Sequence, residues 1–172
     1  MSDVSRSAAY VYVGPTELRQ GVTSVGGATV LDIGDLERFL SQRPASEVAE
    51  PFTYVVDTAG RLLLAPRRSE HVACAGGEAV LGAGEIGFRR SGARWSAEYV
   101  SNQSTGYCPD LESWAAVARS LDRAGIAHGT GFTHAIVFRC CPRCEGWNVV
   151  REQTYVCALC DADLPVERTA AP

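Results

Sequence analysis

The sequence predicts an α+β fold, in which an antiparallel or mixed sheet of hairpins is covered by two helices and followed by a small cysteine-rich module. Three observations support this prediction. Two pairs of β-rich runs are each joined by a Gly-containing turn, two segments repeat apolar residues at helical spacing, and two C-x-x-C pairs lie near the C-terminus. We place the α+β domain at residues 1–135 and the cysteine module at residues 136–168, packed on it as one body.

The first half of the chain supplies one helix and one hairpin. Tyr10–Val13 is a β-branched and aromatic run that predicts a strand, and Thr16–Arg19 can form one helical turn. Phe52–Val56 and Leu62–Leu64 flank a four-residue turn that ends in Gly and predict a hairpin. Between these segments, a covering helix is predicted from apolar residues at helical spacing: Ile33, Leu36, Phe39 and Leu40.

The second half predicts another hairpin and the longer helix. Ala79–Phe88 and Trp95–Ser101 read as its two strands, and Gly125 ends the helix that follows. A strand at His134–Phe138 then runs directly into the cysteine module. The helix is indicated by apolar residues that share one face: Leu111, Trp114, Val117, Ala118 and Leu121.

Composition and charge limit the classes of function. The chain has 172 residues, 46% hydrophobic and 21% charged, which is typical of a globular protein with one ordinary domain and a small module. A net charge of −4 argues against broad nucleic-acid or anionic-membrane binding. No apolar run is long enough for a membrane span, and the N-terminus lacks the apolar core of a secretory signal. We therefore expect a cytoplasmic protein.

Cys141, Cys144, Cys157 and Cys160 form the pattern C-x2-C-x12-C-x2-C. Two such turns can present four thiolates tetrahedrally to one Zn²⁺ ion, and this double spacing favours zinc over the alternatives, a pair of disulfides or four unrelated thiols. The spacer suits one hairpin, with strands at Trp147–Val150 and Thr154–Val156 and a turn at Arg151–Gln153. A closed four-cysteine site is structural, because no coordination position is left for chemistry.

The module resembles a zinc ribbon whose first Cys-Pro-x-Cys knuckle is of rubredoxin type. Knuckles of that type usually carry Gly after the second Cys, where this chain has Glu145 and Asp161. The full fold prediction is thus an α+β domain with a C-terminal zinc ribbon. The remaining thiols, Cys74, Cys108 and Cys140, are expected to be reduced and unpaired, with Cys140 pointing away from the metal.

Residues 54–125 contain a recognisable order of parts: a strand pair, a Gly-Gly turn after Glu70-His71-Val72, a hairpin, Asn102-Gln103-Ser104-Thr105-Gly106-Tyr107-Cys108-Pro109 and a helix. This order resembles the C-terminal module of bacterial polymorphic toxins and of plant calmodulin-binding proteins with an IQ motif. The family has His where Gly106 stands and His-Ser-Ser at Glu70-His71-Val72. If those histidines carry an activity, only His71 remains here. The matching residues are Gly76, Gly77, Val80, Gly84, Glu85, Ser104, Tyr107 and Pro109.

Two loops of this segment form a candidate ligand site. The loop at 102–108 precedes a helix, whose free N–H groups can hold an anion. Alternatively, its hydroxyl groups cap the helix and its Asn closes a turn. Cys108 is either a nucleophile paired with His71 or a small buried residue. We assign His71 and Glu85, on neighbouring turns, as catalytic candidates, and the ligand-binding candidates are Glu70, Asn102, Ser104, Tyr107 and Cys108.

Three functions follow from these patterns. The first is a zinc-ribbon binding protein that recognises a macromolecular partner or a nucleotide-like ligand. The second is an enzyme of the toxin-module type that acts on a nucleotide, as a transferase or hydrolase. The third is an inactive immunity or partner relative of such an enzyme. A cleft joining residues 70–85 with residues 102–108 would favour the enzyme, and an apolar patch around Trp147 would favour binding.

Overall fold

The computed structural model describes residues 8–168, so the first seven residues of the predicted domain lie outside it. It confirms the α+β class: a six-stranded mixed sheet, a separate two-stranded sheet and a C-terminal cluster of four cysteines. The elements, in chain order, are α1 Thr16–Gln20, β1 Ala28–Val30, α2 Ile33–Ser41, α3 Ala45–Val48, β2 Phe52–Asp57, β3 Leu62–Ala65, α4 His71–Cys74, β4 Val80–Ser91, β5 Arg94–Val100, a 3₁₀ turn Leu111–Ser113, α5 Trp114–Ala124, β6 Ala127–His128, β7 Val137–Cys140 and β8 Trp147–Val150.

The large sheet has the strand order β1-β3-β2-β4-β5-β6. Neighbouring strands are antiparallel except β5 and β6, which are parallel. The two predicted hairpins are its centre: β2 pairs with β3, and β4 pairs with β5. Strand β2 is buried on both faces, because two separate apolar clusters cover the sheet. The two helices predicted from apolar spacing, α2 and α5, cover one of these faces.

Local signals explain where α2 and α5 begin and end. The Asp32 carboxylate caps α2 by accepting a hydrogen bond from the Asp35 amide at 2.9 Å. Gly125 ends α5 with φ of +73°, a left-handed conformation that glycine adopts without steric cost. Leu36 and Leu121 are fully buried between these helices and the sheet. The sequence prediction of two covering helices is therefore confirmed, the helical turn expected at Thr16–Arg19 is α1, and the short helices α3 and α4 are additional.

Two predicted strands differ in the structure. Tyr10–Val13 is not a strand: only Tyr10 pairs, by one bridge to Val80, because the chain then turns away and the Val13 amide donates to the Gly106 carbonyl at 2.7 Å. The strand predicted at His134–Phe138 begins later, as β7 at Val137. His134 itself makes one parallel bridge with Ser101 at the edge of the large sheet.

The pairing within the cysteine module also differs from the prediction. Strand β8 pairs with β7, not with Thr154–Val156. The predicted turn is present, with Glu152 and Gln153 both at positive φ as in a type I′ turn, but the pairing ends after a single bridge between Arg151 and Thr154. Beyond the turn, Val156 pairs with Asp163 instead. The chain thereby brings the second C-x-x-C pair over β8 and close to the first.

Candidate metal centre

The four cysteine sulfurs of the two C-x-x-C pairs converge on one point. Sγ of Cys141 lies 3.7 Å from Sγ of Cys160, and Sγ of Cys144 lies 3.6 Å from Sγ of Cys157. All four sulfur atoms lie within 4.8 Å of one another. A tetrahedral site with Zn–S bonds of about 2.3 Å requires S···S separations of about 3.8 Å. The donor set and its spacing therefore fit a zinc ion, and each of the four thiols supplies one ligand.

Two equivalent turns hold these sulfurs. The Glu145 amide donates to the Cys141 carbonyl at 2.9 Å, and the Asp161 amide donates to the Cys157 carbonyl at 3.0 Å. Glu145 has φ of +58° and Asp161 has φ of +57°. These are the two positions at which ribbon knuckles usually carry Gly. The chain thus forms both turns with side chains in the left-handed region, at a cost of about 1–2 kcal/mol each.

Hydrogen bonds around Cys157 favour its thiolate. The Leu159 amide donates to Cys157 Sγ at 3.4 Å, and the Asn148 side-chain amide donates to the same sulfur at 3.5 Å. These donors, the Leu159 amide first, hold the pKa of Cys157 below its ordinary value. Asn148 also accepts from the Ala158 amide at 2.9 Å, so it orients the second turn. Sequence analysis missed Asn148, although a polar residue between Trp147 and Val149 in a short strand was a usable signal.

The module has little apolar core of its own. Its buried cluster consists of Cys141, Cys157 and Leu164, with partly buried side chains around them. Two of these three residues belong to the cluster of four sulfurs. The ribbon therefore depends on the sulfur cluster for its fold, as expected for a structural site that replaces a hydrophobic core.

The remaining thiols lie outside the cluster. Sγ of Cys140 lies 3.4 Å from the Glu145 carbonyl oxygen and is not among the four clustered sulfurs, and its orientation away from a metal stays a prediction. None of the cysteines forms a disulfide within the described residues. Burial raises the pKa of both Cys74 and Cys108 to about 12. Cys108 donates to the Thr105 carbonyl at 3.4 Å, and this geometry fits the small buried residue rather than the nucleophile.

The predicted ligand loop turns its polar groups inward. The Asn102 amide nitrogen donates to the carbonyls of Pro109 at 3.0 Å and Ile136 at 2.8 Å, and its oxygen accepts from the Ile136 amide at 2.7 Å. Ser104 accepts from the Tyr107 amide at 3.3 Å. The Tyr107 hydroxyl donates to the Glu78 carbonyl at 2.7 Å. All three side chains are buried. Their role as ligand contacts stays a prediction, and in this conformation each of them stabilises the fold.

The two catalytic candidates lie in α4 and β4 of the same segment. His71 begins α4, half-buried, and its Nε2 donates to the Gly84 carbonyl at 2.9 Å. Burial lowers the pKa of His71, and the hydrogen bond to Gly84 and the carboxylates of Glu85 and Glu70 act in the opposite direction. The sequence analysis placed Glu85 on a turn, and this was wrong. In the structure Glu85 lies within β4, opposite Thr53. Glu85 lies in a strand because β4 is twelve residues long and includes the Gly-rich segment from Val80 to Gly84.

No helix in residues 8–168 is long and apolar enough to cross a membrane. Comparison with known proteins adds no further assignment. The resemblance of residues 54–125 to the toxin and IQ-motif module thus depends only on the residues quoted for it. No protein-family model, no curated protein and no solved structure matches this chain.

Proposed function

We propose that this chain is a zinc-binding protein whose C-terminal ribbon, held in shape by the metal, recognises a macromolecular partner. The observation that supports the metal is the convergence of four sulfur atoms within 4.8 Å of one another. Zn²⁺ would be held by Cys141, Cys144, Cys157 and Cys160. Its function there is structural, because four protein ligands leave no position for a substrate.

The surface of the ribbon supports a protein partner. Leu159, at the tip of the second turn, is 73% exposed, and Val149 and Val156 are exposed as well. Trp147 was the sequence-based candidate for a stacking contact, but it is half-buried and Arg168 lies over its ring, with Cζ 5.1 Å from the centroid. Aliphatic rather than aromatic side chains thus dominate the exposed apolar surface. Aliphatic groups suit packing against a protein, whereas single-stranded nucleic acid is held by aromatic stacking.

Metal analysis tests this proposal directly. We expect one zinc per chain by elemental analysis after purification without chelator, and none in a Cys144→Ser/Cys157→Ser double variant. A Leu159→Glu variant should keep its zinc and lose partner capture, because the side chain lies outside the coordination sphere. The proposal would be refuted by wild-type protein that contains no zinc after purification without chelator. A double variant that still binds one equivalent of zinc would refute it as well.

A second candidate is an enzyme that acts on a nucleotide through His71. It is favoured by the hydrogen bond from His71 Nε2 to the Gly84 carbonyl at 2.9 Å, which makes Nδ1 the ring nitrogen that can accept a proton. A screen of nucleotides and dinucleotides by thermal shift, followed by product analysis, tests this candidate on wild type and His71→Ala. Turnover that survives in His71→Ala would refute it. Binding without turnover in both proteins would favour the inactive relative of the toxin module.

A further inference from the structure

Strand β4 has an open edge near its end. Its twelve residues pair with β2 from Val80 to Ile86 and with β5 from Ile86 to Ser91. Strand β2 begins at Phe52, opposite Ile86, and Pro51 precedes it. From Gly87 to Ser91, the side of β4 that faces away from β5 therefore has no strand of residues 8–168 beside it.

The backbone groups of this edge point outward. The amide and carbonyl of Glu85 both bond to Ser101 on the β5 side, at 3.1 and 2.9 Å. Successive residues of a strand alternate in direction, so Phe88 and Arg90 direct their amides and carbonyls to the open side. Within residues 8–168, neither residue makes a backbone hydrogen bond outside the β4–β5 pairing. These are the groups through which a sheet edge accepts another strand.

Two connected cavities give the edge room for another chain. The first, of about 700 Å³, lies between the β4–β5 hairpin and the helices α2 and α3. Its apolar lining includes Leu40, Val48, Phe88 and Trp95. The second, of about 390 Å³, lies on the other face of the hairpin and shares Val48, Ala49, Phe88 and Arg89 with the first. A strand added about 4.8 Å from β4 would run between them and send alternate side chains into each.

The linings of the two cavities carry three arginines, Arg43, Arg89 and Arg90, and two carboxylates, Glu37 and Glu98. Glu37 is already engaged, since it accepts from the Trp95 indole at 3.1 Å and lies 3.6 Å from Arg90. Arg43 Nε is buried and makes no hydrogen bond, although a Glu47 carboxylate oxygen lies 3.4 Å away. Arg89 is exposed and has no ion pair within the described residues. The guanidinium group of Arg89 is therefore available to an incoming carboxylate, and Glu98 of the same cavity accepts a hydrogen bond from Ser96 at 2.8 Å.

We propose that Gly87–Ser91 is a docking edge for an extended, acidic segment of a partner protein, which adds to the sheet beside β4. Residues of that segment paired with Phe88 place apolar side chains in the cavity lined by Leu40, Val48 and Trp95. Residues paired with Arg89 place carboxylates against its guanidinium. Main-chain hydrogen bonds give such a complex its affinity, and the alternating cavities give its specificity. The inference is independent of the ribbon and of its metal.

Selection of a displayed library of random peptides, each about ten residues long, tests the proposal on the full chain. We expect enrichment of sequences in which acidic and aliphatic residues alternate. Arg89→Glu should weaken binding of the enriched peptide by about tenfold or more, because like charges oppose docking. Arg151→Glu makes the same charge change at an exposed turn of the ribbon and should leave binding unchanged. Equal binding by Arg89→Glu would overturn the proposal, and so would a library that yields no alternating acidic sequence.

A second measurement separates strand addition from other modes of binding. The bound peptide should slow hydrogen exchange at the amides of Phe88 and Arg90, and a peptide methylated at alternate backbone nitrogens should not bind. Binding of the methylated peptide, or exchange at these amides that the peptide leaves unchanged, would overturn the proposal. A concentration-dependent dimer that Arg89→Glu abolishes would identify a second copy of the chain as the occupant and would also overturn it.

Discussion

Removal of the metal should unfold the ribbon and leave the large sheet intact. The two parts have separate apolar clusters: the ribbon's consists of Cys141, Cys157 and Leu164, whereas the sheet is buried under two larger ones. Chelation removes the ion from all four ligands at once. Cys144→Ser removes one ligand and is the cleaner variant, because Cys144 is exposed and its substitution leaves no cavity in the core.

The size of the effect follows from binding linkage. When free zinc exceeds its dissociation constant about a thousandfold, binding to the folded form contributes about 4 kcal/mol. Local opening of the ribbon should therefore become about a thousandfold more frequent when the metal is removed. The single buried aliphatic side chain of the ribbon cluster, Leu164, supplies about 1.5–3 kcal/mol and cannot replace that contribution.

Hydrogen exchange measured with and without chelator gives the assay. Protection should fall about a thousandfold at the amides of Glu145, Cys157 and Asp161, which close the ribbon turns. The amides of β2 and β4 should keep their protection. Cys140→Ser is the matched control, since it lies beside the cluster and contributes no ligand. A ribbon that stays protected without metal, or a Cys140→Ser variant that loses zinc, would refute the reasoning.

Three further predictions test individual contacts. Tyr54→Phe removes the hydroxyl that donates to the buried Ser101 carbonyl at 2.8 Å, so urea denaturation should show a loss of about 1–2 kcal/mol; an unchanged midpoint would contradict this. Glu145→Gly relieves a positive φ, and the unfolding free energy of the zinc-loaded ribbon should rise by up to about 1 kcal/mol after the entropic cost of Gly; a decrease would contradict it. Burial holds the pKa of His71 below its usual 6.5, so the unfolded chain takes up the proton first. The contribution of the neutral His71 to the free energy of unfolding should therefore be fully present above about pH 6.5 and should decrease as the pH is lowered further. His71→Asn should make this pH dependence less steep in denaturation measured across pH.

The parts of the fold that sequence analysis predicted are those with local causes. Helix α2 follows from the Asp32 cap and from apolar residues on one face, and α5 follows from its apolar face and the glycine at position 125. The two hairpins follow from β-rich runs joined by short turns. The cluster of four cysteines was equally predictable, because the turn that brings each cysteine pair together is contained in four residues.

The parts that sequence analysis missed depend on distant contacts. Strand β7 comes just before the first cysteine pair, whereas β8 lies in the spacer between the two pairs. Nothing in the sequence of the spacer indicates that β8 pairs with β7. The short helix α4 is stabilised by packing on β2 and β3 through Val72 and Cys74, not by a strong helical pattern. Polar residues at 102–107 suggested a ligand site, since a sequence does not distinguish a polar group that faces a ligand from one that binds its own backbone.

Loop 102–108 in fact joins the ribbon to the domain. The Asn102 side chain holds the backbone of Ile136, just before the chain enters β7. Arg168, which follows the ribbon in the chain, donates to the Cys108 carbonyl at 2.8 Å. Its guanidinium group lies over the rings of Tyr10 and Trp147. The segments before and after the ribbon are therefore both attached to this one loop. Its exposed side chains are Gln103 and Thr105, so a ligand of this loop would have to contact those two residues rather than the buried ones.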